Sequence, residues 1–190
     1  MECILMSDNK DIHNKMIRSL CKELLLPLGV IQKGNSRVYL DDNGFYLTMI
    51  EFQPSAWGKG THLNVGVHFL WNTYEYLSFD AYVGKSIRVN NFIQFRNDEQ
   101  FEEKLRGLIA IAIDRVLFYR DIRNVRNTIL NMHSDNNDIN KSMFLALHGE
   151  LNDDTLSQEL VIDRIQQKRH ILREKAGIRK LPWNEQFDKK

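Results

Sequence analysis

Hydrophobic positions in this chain follow two different periods, and the change falls near Asn97. In the first stretch Ile12, Met16, Leu20 and Leu24 recur at helical spacing, with Ile17, Cys21 and Leu25 beside them. This predicts a helix from about Asn9 to Pro27, stopped because proline has no N–H to donate and Gly29 can take a left-handed exit. From Arg37 the pattern alternates instead. Arg37–Leu40, Phe45–Gln53 and Thr61–Trp71 read as strands, and in the last of them Leu63, Val65, Val67 and Phe69 share one face while His62, Asn64, Gly66 and His68 share the other. Such alternation predicts one face on the core and one facing water or a site. Asn43–Gly44 predicts a type I′ hairpin turn, since both residues tolerate positive φ. Pro54–Gly60 reads as a loop, and Phe79–Val83 with Ser86–Phe95 predict one or two further strands.

After Asn97 the period becomes helical. Asn97 is placed as an N-cap, with Gln100 three residues on and acids Asp98, Glu99, Glu102 and Glu103 where the helix dipole favours them. The broad apolar surface of Leu105, Leu108, Ile109, Ala112 and Val116 predicts a central helix lying across the sheet, continuing after a kink through Ile122, Val125 and Ile129. A loop at His133–Asp138 precedes two more helices, Ile139–His148 and about Leu156–Ala176, the second opened by a Thr155/Gln158 capping box. The expected fold is α+β: an antiparallel sheet of four to five strands packed by an N-terminal and a long central helix, with a peripheral C-terminal helical hairpin. Residues 1–132 are read as the core domain and 133–190 as a helical extension packed on it.

Composition narrows the classes. Of 190 residues 43% are hydrophobic, including 10 Phe, 6 Tyr and 3 Trp, which suffices for a real core. A net charge of +1 supplies no long-range field to gather phosphates, membranes or acidic substrates. The segment from Met1 to Met6 lacks a basic start and a long apolar run, and no later stretch approaches the ~20 apolar residues a bilayer span needs. These features predict a cytoplasmic protein, off the membrane, with Cys3 and Cys21 as reduced thiols.

Motifs for known chemistry fail on inspection. Gly84-Lys85-Ser86 has Phe79 where a phosphate loop needs its first glycine, and a strand follows it rather than a helix. His62 and His68 share a strand face, but six residues at ~3.3 Å each place them about 20 Å apart, too far to share one ion. Cys21 sits on an apolar stripe and reads as a small core residue. No nucleophile–base pair follows from spacing, so the reading leans away from an enzyme and names no catalytic residue, cofactor or metal. A basic cluster, Arg164, Lys168, Arg169 and Arg173, has two readings: phosphate contacts to nucleic acid, or a solvated outer helix face near a helix end. The second is preferred, since no nucleic-acid-binding motif accompanies the charges.

Leu26-Pro27-Leu28-Gly29 with Lys33-Gly34, then Gln53-Pro54-Ser55-Ala56-Trp57-Gly58, then Asn64-Val65-Gly66 form a pattern that resembles an uncharacterised bacterial family, the domain of unknown function 4304. The resemblance covers roughly the first 120 residues, with Val30 where an aromatic is usual. It implies a cytoplasmic α+β domain and carries over no catalytic residue. Its polar signature falls on Gln53, Ser55, Trp57, Asn64 and Gly66, with Lys59 in the same loop. Loop closure can bring the Gln53 and Asn64 amides together, and Trp57 offers a stacking surface. The preferred reading is that Gln53, Ser55 and Asn64 bond the loop's own backbone while Trp57 covers the sheet end, since residues of these types commonly bond locally. Three functions follow as expectations: a protein-binding module of immunity or regulatory type, a small-molecule site or enzyme at the Gln53–Trp57–Asn64 loop, and nucleic-acid binding through the basic helix.

Overall fold

The computed structural model describes residues 5–132, 137–151, 155–175 and 177–187. Its centre is a five-stranded antiparallel sheet in sequence order: β1 (Ile31–Gln32), β2 (Val38–Asp42), β3 (Tyr46–Gln53), β4 (Gly60–Phe69) and β5 (Ile93–Gln94). Five α-helices accompany it: α1 (Leu5–Leu24), α2 (Asp98–Arg120), α3 (Ile122–Asn131), α4 (Asn137–Leu147) and α5 (Gln158–Glu174). The α+β class, the antiparallel sheet and the long central helix are as expected. Cys3 and most of the expected His133–Asp138 loop lie outside the described residues. Among the described residues no helix is long and apolar enough to cross a membrane.

The expected end signals of the helices operate with two corrections. α1 gives way to a short 3₁₀ turn, Leu26–Leu28, whose exit residue Gly29 has φ 82° and donates its N–H to the Leu26 carbonyl. Asn97 caps α2, its side chain accepting from the Gln100 N–H at 2.9 Å. The expected kink is a clean break: Asp121 is extended and caps α3 through the Arg123 N–H. The cap of α5 is Ser157 rather than Thr155, accepting from the Leu160 N–H at 3.3 Å, because the helix begins later than the apolar pattern suggested. The β2–β3 turn also differs. Asp42 pairs with Leu47 and the Asn43 N–H donates to the Tyr46 carbonyl, so the central pair is Gly44–Phe45. Gly44 alone carries positive φ (92°), the pattern of a type II′ turn. Asn43 is drawn back into the strand frame by hydrogen bonds from its amide to Asp41 and Thr48.

Register sorts β3 and β4 into two faces. Tyr46, Thr48, Ile50 and Phe52 oppose Phe69, Val67, Val65 and Leu63; Leu47, Met49, Glu51 and Gln53 oppose His68, Gly66, Asn64 and His62. The first face meets α2, which also packs on α1; Leu105, Ile109, Ala112 and Val116 are fully buried there. The second face was expected to be open on one side, and over much of its length it is not. Leu40, Leu47 and His68 are 0% exposed and Met49 4%. Part of the cover is the irregular run between β4 and β5: the expected Phe79–Val83 strand is reduced to an isolated bridge of Ala81 with Val67, and of the expected Ser86–Phe95 strand only Ile93–Gln94 forms, as β5, with Arg88 bridging Asn64. Gly66 permits this approach, since a Cβ at that position would stand 2.8 Å from the Ala81 carbonyl oxygen.

The rest of the cover comes from α5 and the chain beyond it, the segment read as peripheral. Val161, Ile165, Leu172 and Ile178 are fully buried in the same hydrophobic cluster as the sheet. Gly177 (φ 80°) lies against the backbone of Lys33 and Gly34. Phe187 packs over Gly44 and stands 6.4 Å from the Phe45 ring. At the same end Phe45, Trp71 and Phe69 stack at 5.4 and 4.5 Å, and Phe144 of α4 meets Phe45 edge-on. The described residues of the C-terminal third therefore share one hydrophobic cluster with the sheet.

Candidate functional site

The β3–β4 connection projects from the end of β3 opposite the Gly44–Phe45 turn. Gln53 closes β3 and Asn64 lies inside β4, and the loop between them brings their amides together as expected. Asn64 Nδ2 donates to Gln53 Oε1 at 3.1 Å and to Glu51 Oε2 at 2.9 Å. Arg88 then donates to the same Gln53 oxygen at 3.0 Å, tying the loop base to the irregular run alongside β4. Thr61 Oγ1 donates to the Gln53 carbonyl and the Phe95 N–H to the Lys59 carbonyl. Asn64 is 2% exposed, and among the described residues its buried Oδ1 has no hydrogen-bond partner.

Above this fixed base the loop is open. Ser55 Oγ accepts from the Trp57 N–H at 3.1 Å, a local turn that orients the backbone. Lys59 is exposed. Trp57 is 98% exposed, so its indole covers nothing. The polar residues thus do both jobs: Gln53, Ser55 and Asn64 bond the loop and its frame, and Trp57 stands free of it. A tryptophan that packs on no neighbour gives the fold almost none of the burial free energy that aromatic side chains otherwise supply.

The basic cluster is dispersed by the same helix packing. Arg169, 1% exposed, donates to both oxygens of Asp42 at 2.9 Å and to the carbonyls of Gly44 at 2.8 Å and Asn184 at 2.6 Å. Lys168, 3% exposed, donates to the Tyr74 carbonyl and lies 5.1 Å from that residue's ring; burial lowers its pKa. Arg173 stacks over Trp183 at 5.2 Å. Arg164 alone lines an open cleft. Neither a joint phosphate-binding surface nor a solvated face survives for Lys168 and Arg169, because each is consumed by partners far away in sequence.

A polar node that the sequence did not disclose sits where the irregular run leaves β4. Asp80 accepts from the Phe69 N–H at 2.7 Å, Asn72 Nδ2 at 2.8 Å, Ser78 Oγ at 2.5 Å, the Tyr74 hydroxyl and His68 Nδ1 at 3.1 Å. Burial by itself raises the Asp80 pKa, but the hydrogen bonds from His68, Ser78 and Tyr74 outweigh it and hold the carboxyl below its usual value. Ser78, His68 and Asp80 superficially suggest a hydrolytic triad. The arrangement differs: Ser78 and Asp80 both approach Nδ1 of His68, and among the described residues the buried Nε2 has no partner. A triad needs the serine at the nitrogen opposite the carboxylate. The node pins residues 72–80 to the sheet. Cys21 is equally quiet, its thiol pushed up to about 12 by burial.

Comparison with protein-family models, with curated proteins and with solved structures returned no match for this chain.

Proposed function

We propose that this chain is a protein-binding module of regulatory or immunity type whose recognition element is the Pro54–Lys59 loop, with Trp57 as its anchor. The observation that carries the reading is the contrast within that loop: a base held by Asn64, Gln53, Glu51 and Arg88, and a tryptophan 98% exposed above it. Tryptophan is enriched among the few interface residues that dominate binding energy, where its large surface enters a pocket on the partner. A rigid base lowers the ordering cost of such an encounter. Lys59 beside it supplies a rim charge that tunes association rate more than affinity.

The test is affinity purification from the native host with the tagged chain and its Trp57→Ala variant side by side. A protein recovered in stoichiometric amount by the wild type and lost with the folded variant supports the reading. Recovery of no such protein, or of the same protein by both, overturns it.

A further inference from the structure

We infer a second binding site, for a small aromatic acid, in the cleft between the Trp71–Tyr82 run and helices α4 and α5. The cleft has a volume of about 710 Å³, within the ~300–1,000 Å³ range of small-molecule sites. Its walls supply two kinds of group, and each asks for a specific partner.

The first is cationic. Arg164 lines the cleft partly buried, and among the described residues it makes no ion pair or hydrogen bond. The carboxylate among the lining residues is Asp80, whose oxygens are already engaged by Phe69, Asn72, Tyr74, Ser78 and His68. Asn140 adds a donor from α4. Its Oδ1 accepts from Trp71 Nε1 at 3.0 Å, which fixes the amide's orientation and leaves Nδ2 for a ligand. A guanidinium and an amide N–H₂ facing one cleft suit a carboxylate or phosphate, which guanidinium binds in planar, bidentate fashion.

The second is aromatic. Tyr74 and Tyr76 stack at 4.6 Å with 19° between their planes, and both line the cleft. The Lys168 ammonium lies 5.1 Å from the Tyr74 ring centre and steadies that ring, so the pair forms a preformed platform. Tyr76 is nonetheless 65% exposed, leaving surface against which a planar group can lie. Neither group contributes to the Trp57 surface, and this inference does not depend on the protein-binding reading.

Titration of the ¹⁵N-labelled full chain with phenyl phosphate, benzoate and benzyl alcohol tests it. Fragments of this size reach dissociation constants of about a millimolar. Both acids are expected to give saturable shifts in the amides of residues 72–80 and 139–143, with the neutral alcohol at least about tenfold weaker. The tighter of the two acids identifies carboxylate or phosphate as the preferred head. Arg164→Gln should weaken both acids by about tenfold or more and leave the alcohol unchanged. Tyr76→Ala, at an exposed position, should weaken all three. Absence of saturable shifts at ~20 mM, about twenty times the expected constant, overturns the site, as do unchanged acid affinities in the Arg164→Gln protein.

Discussion

Strand β3 ends in two hairpin connections that the molecule treats in opposite ways. At one end Gly44–Phe45 is enclosed: Phe45 is 5% exposed, Phe187 covers Gly44, and Arg169 reaches the Gly44 carbonyl from α5. At the other end the loop around Trp57 is bonded at its base and bare at its tip. Each connection carries a large aromatic. One aromatic stacks on Trp71 and meets Phe144 edge-on, and the other touches solvent. Among the described residues, Phe187 and Arg169 from the last third of the chain cover the first connection, and the Trp57 tip of the second stays bare. Burial at one turn explains stability, and exposure at the other has no stabilising explanation, which is why function is assigned to the exposed turn.

Substitutions at the two ends sharpen this contrast. The largest loss is expected from Arg169→Ala, which leaves Asp42, 0% exposed at its side chain, as an unpaired buried carboxylate. Urea unfolding should show a loss of about 3–5 kcal/mol. Replacing both partners, Asp42→Leu with Arg169→Met, should cost less than Arg169→Ala alone, since no buried charge is stranded. Phe45→Ala should lose a similar amount, about 3–5 kcal/mol, by opening a cavity in the aromatic stack.

Asp80 is next in size. Its folded pKa lies below the ordinary value, so the ionised carboxylate stabilises the fold above pH ~4 and that contribution fades as acidification carries pH down through the folded pKa. Asp80→Asn should cost about 1–3 kcal/mol at neutral pH, because the donors around it lose a charged acceptor. The gap between wild type and variant should then narrow below pH ~4. A gap that stayed constant from pH 7 to pH 3 would show that Asp80 is not the stabilising acid.

At the open end Asn64→Ala should cost about 1 kcal/mol, the net worth of bonds whose partners Glu51 and Gln53 keep access to water. Trp57→Ala should change stability by less than about 0.5 kcal/mol. A loss above ~2 kcal/mol there would mean that the indole packs on the fold and would erase the difference between the two turns.

The sequence disclosed what depends on neighbours along the chain. Helical spacing in α1 and α2, the Asn97 cap and the Gln53–Asn64 pairing across a short loop all follow from residues close in number. It misjudged what depends on distant partners. Arg169 reads as a solvated charge until Asp42 and Asn184 are brought to it. One signal was present: Lys168 interrupts the stripe of Val161, Ile165 and Leu172, and a cation on a buried stripe must bury its stem or find acceptors. Asp80 had no such signal. Its donors come from β4 and from three side chains of an aperiodic run, and only the folded path of residues 72–80 gathers them.

The most direct test is the affinity of the purified partner for wild type and for Trp57→Ala, measured by titration calorimetry under identical salt. Loss of at least ~2 kcal/mol of binding free energy, about thirtyfold in dissociation constant, is expected of an anchor residue. Equal affinities for the two proteins would contradict the assignment of recognition to the open turn.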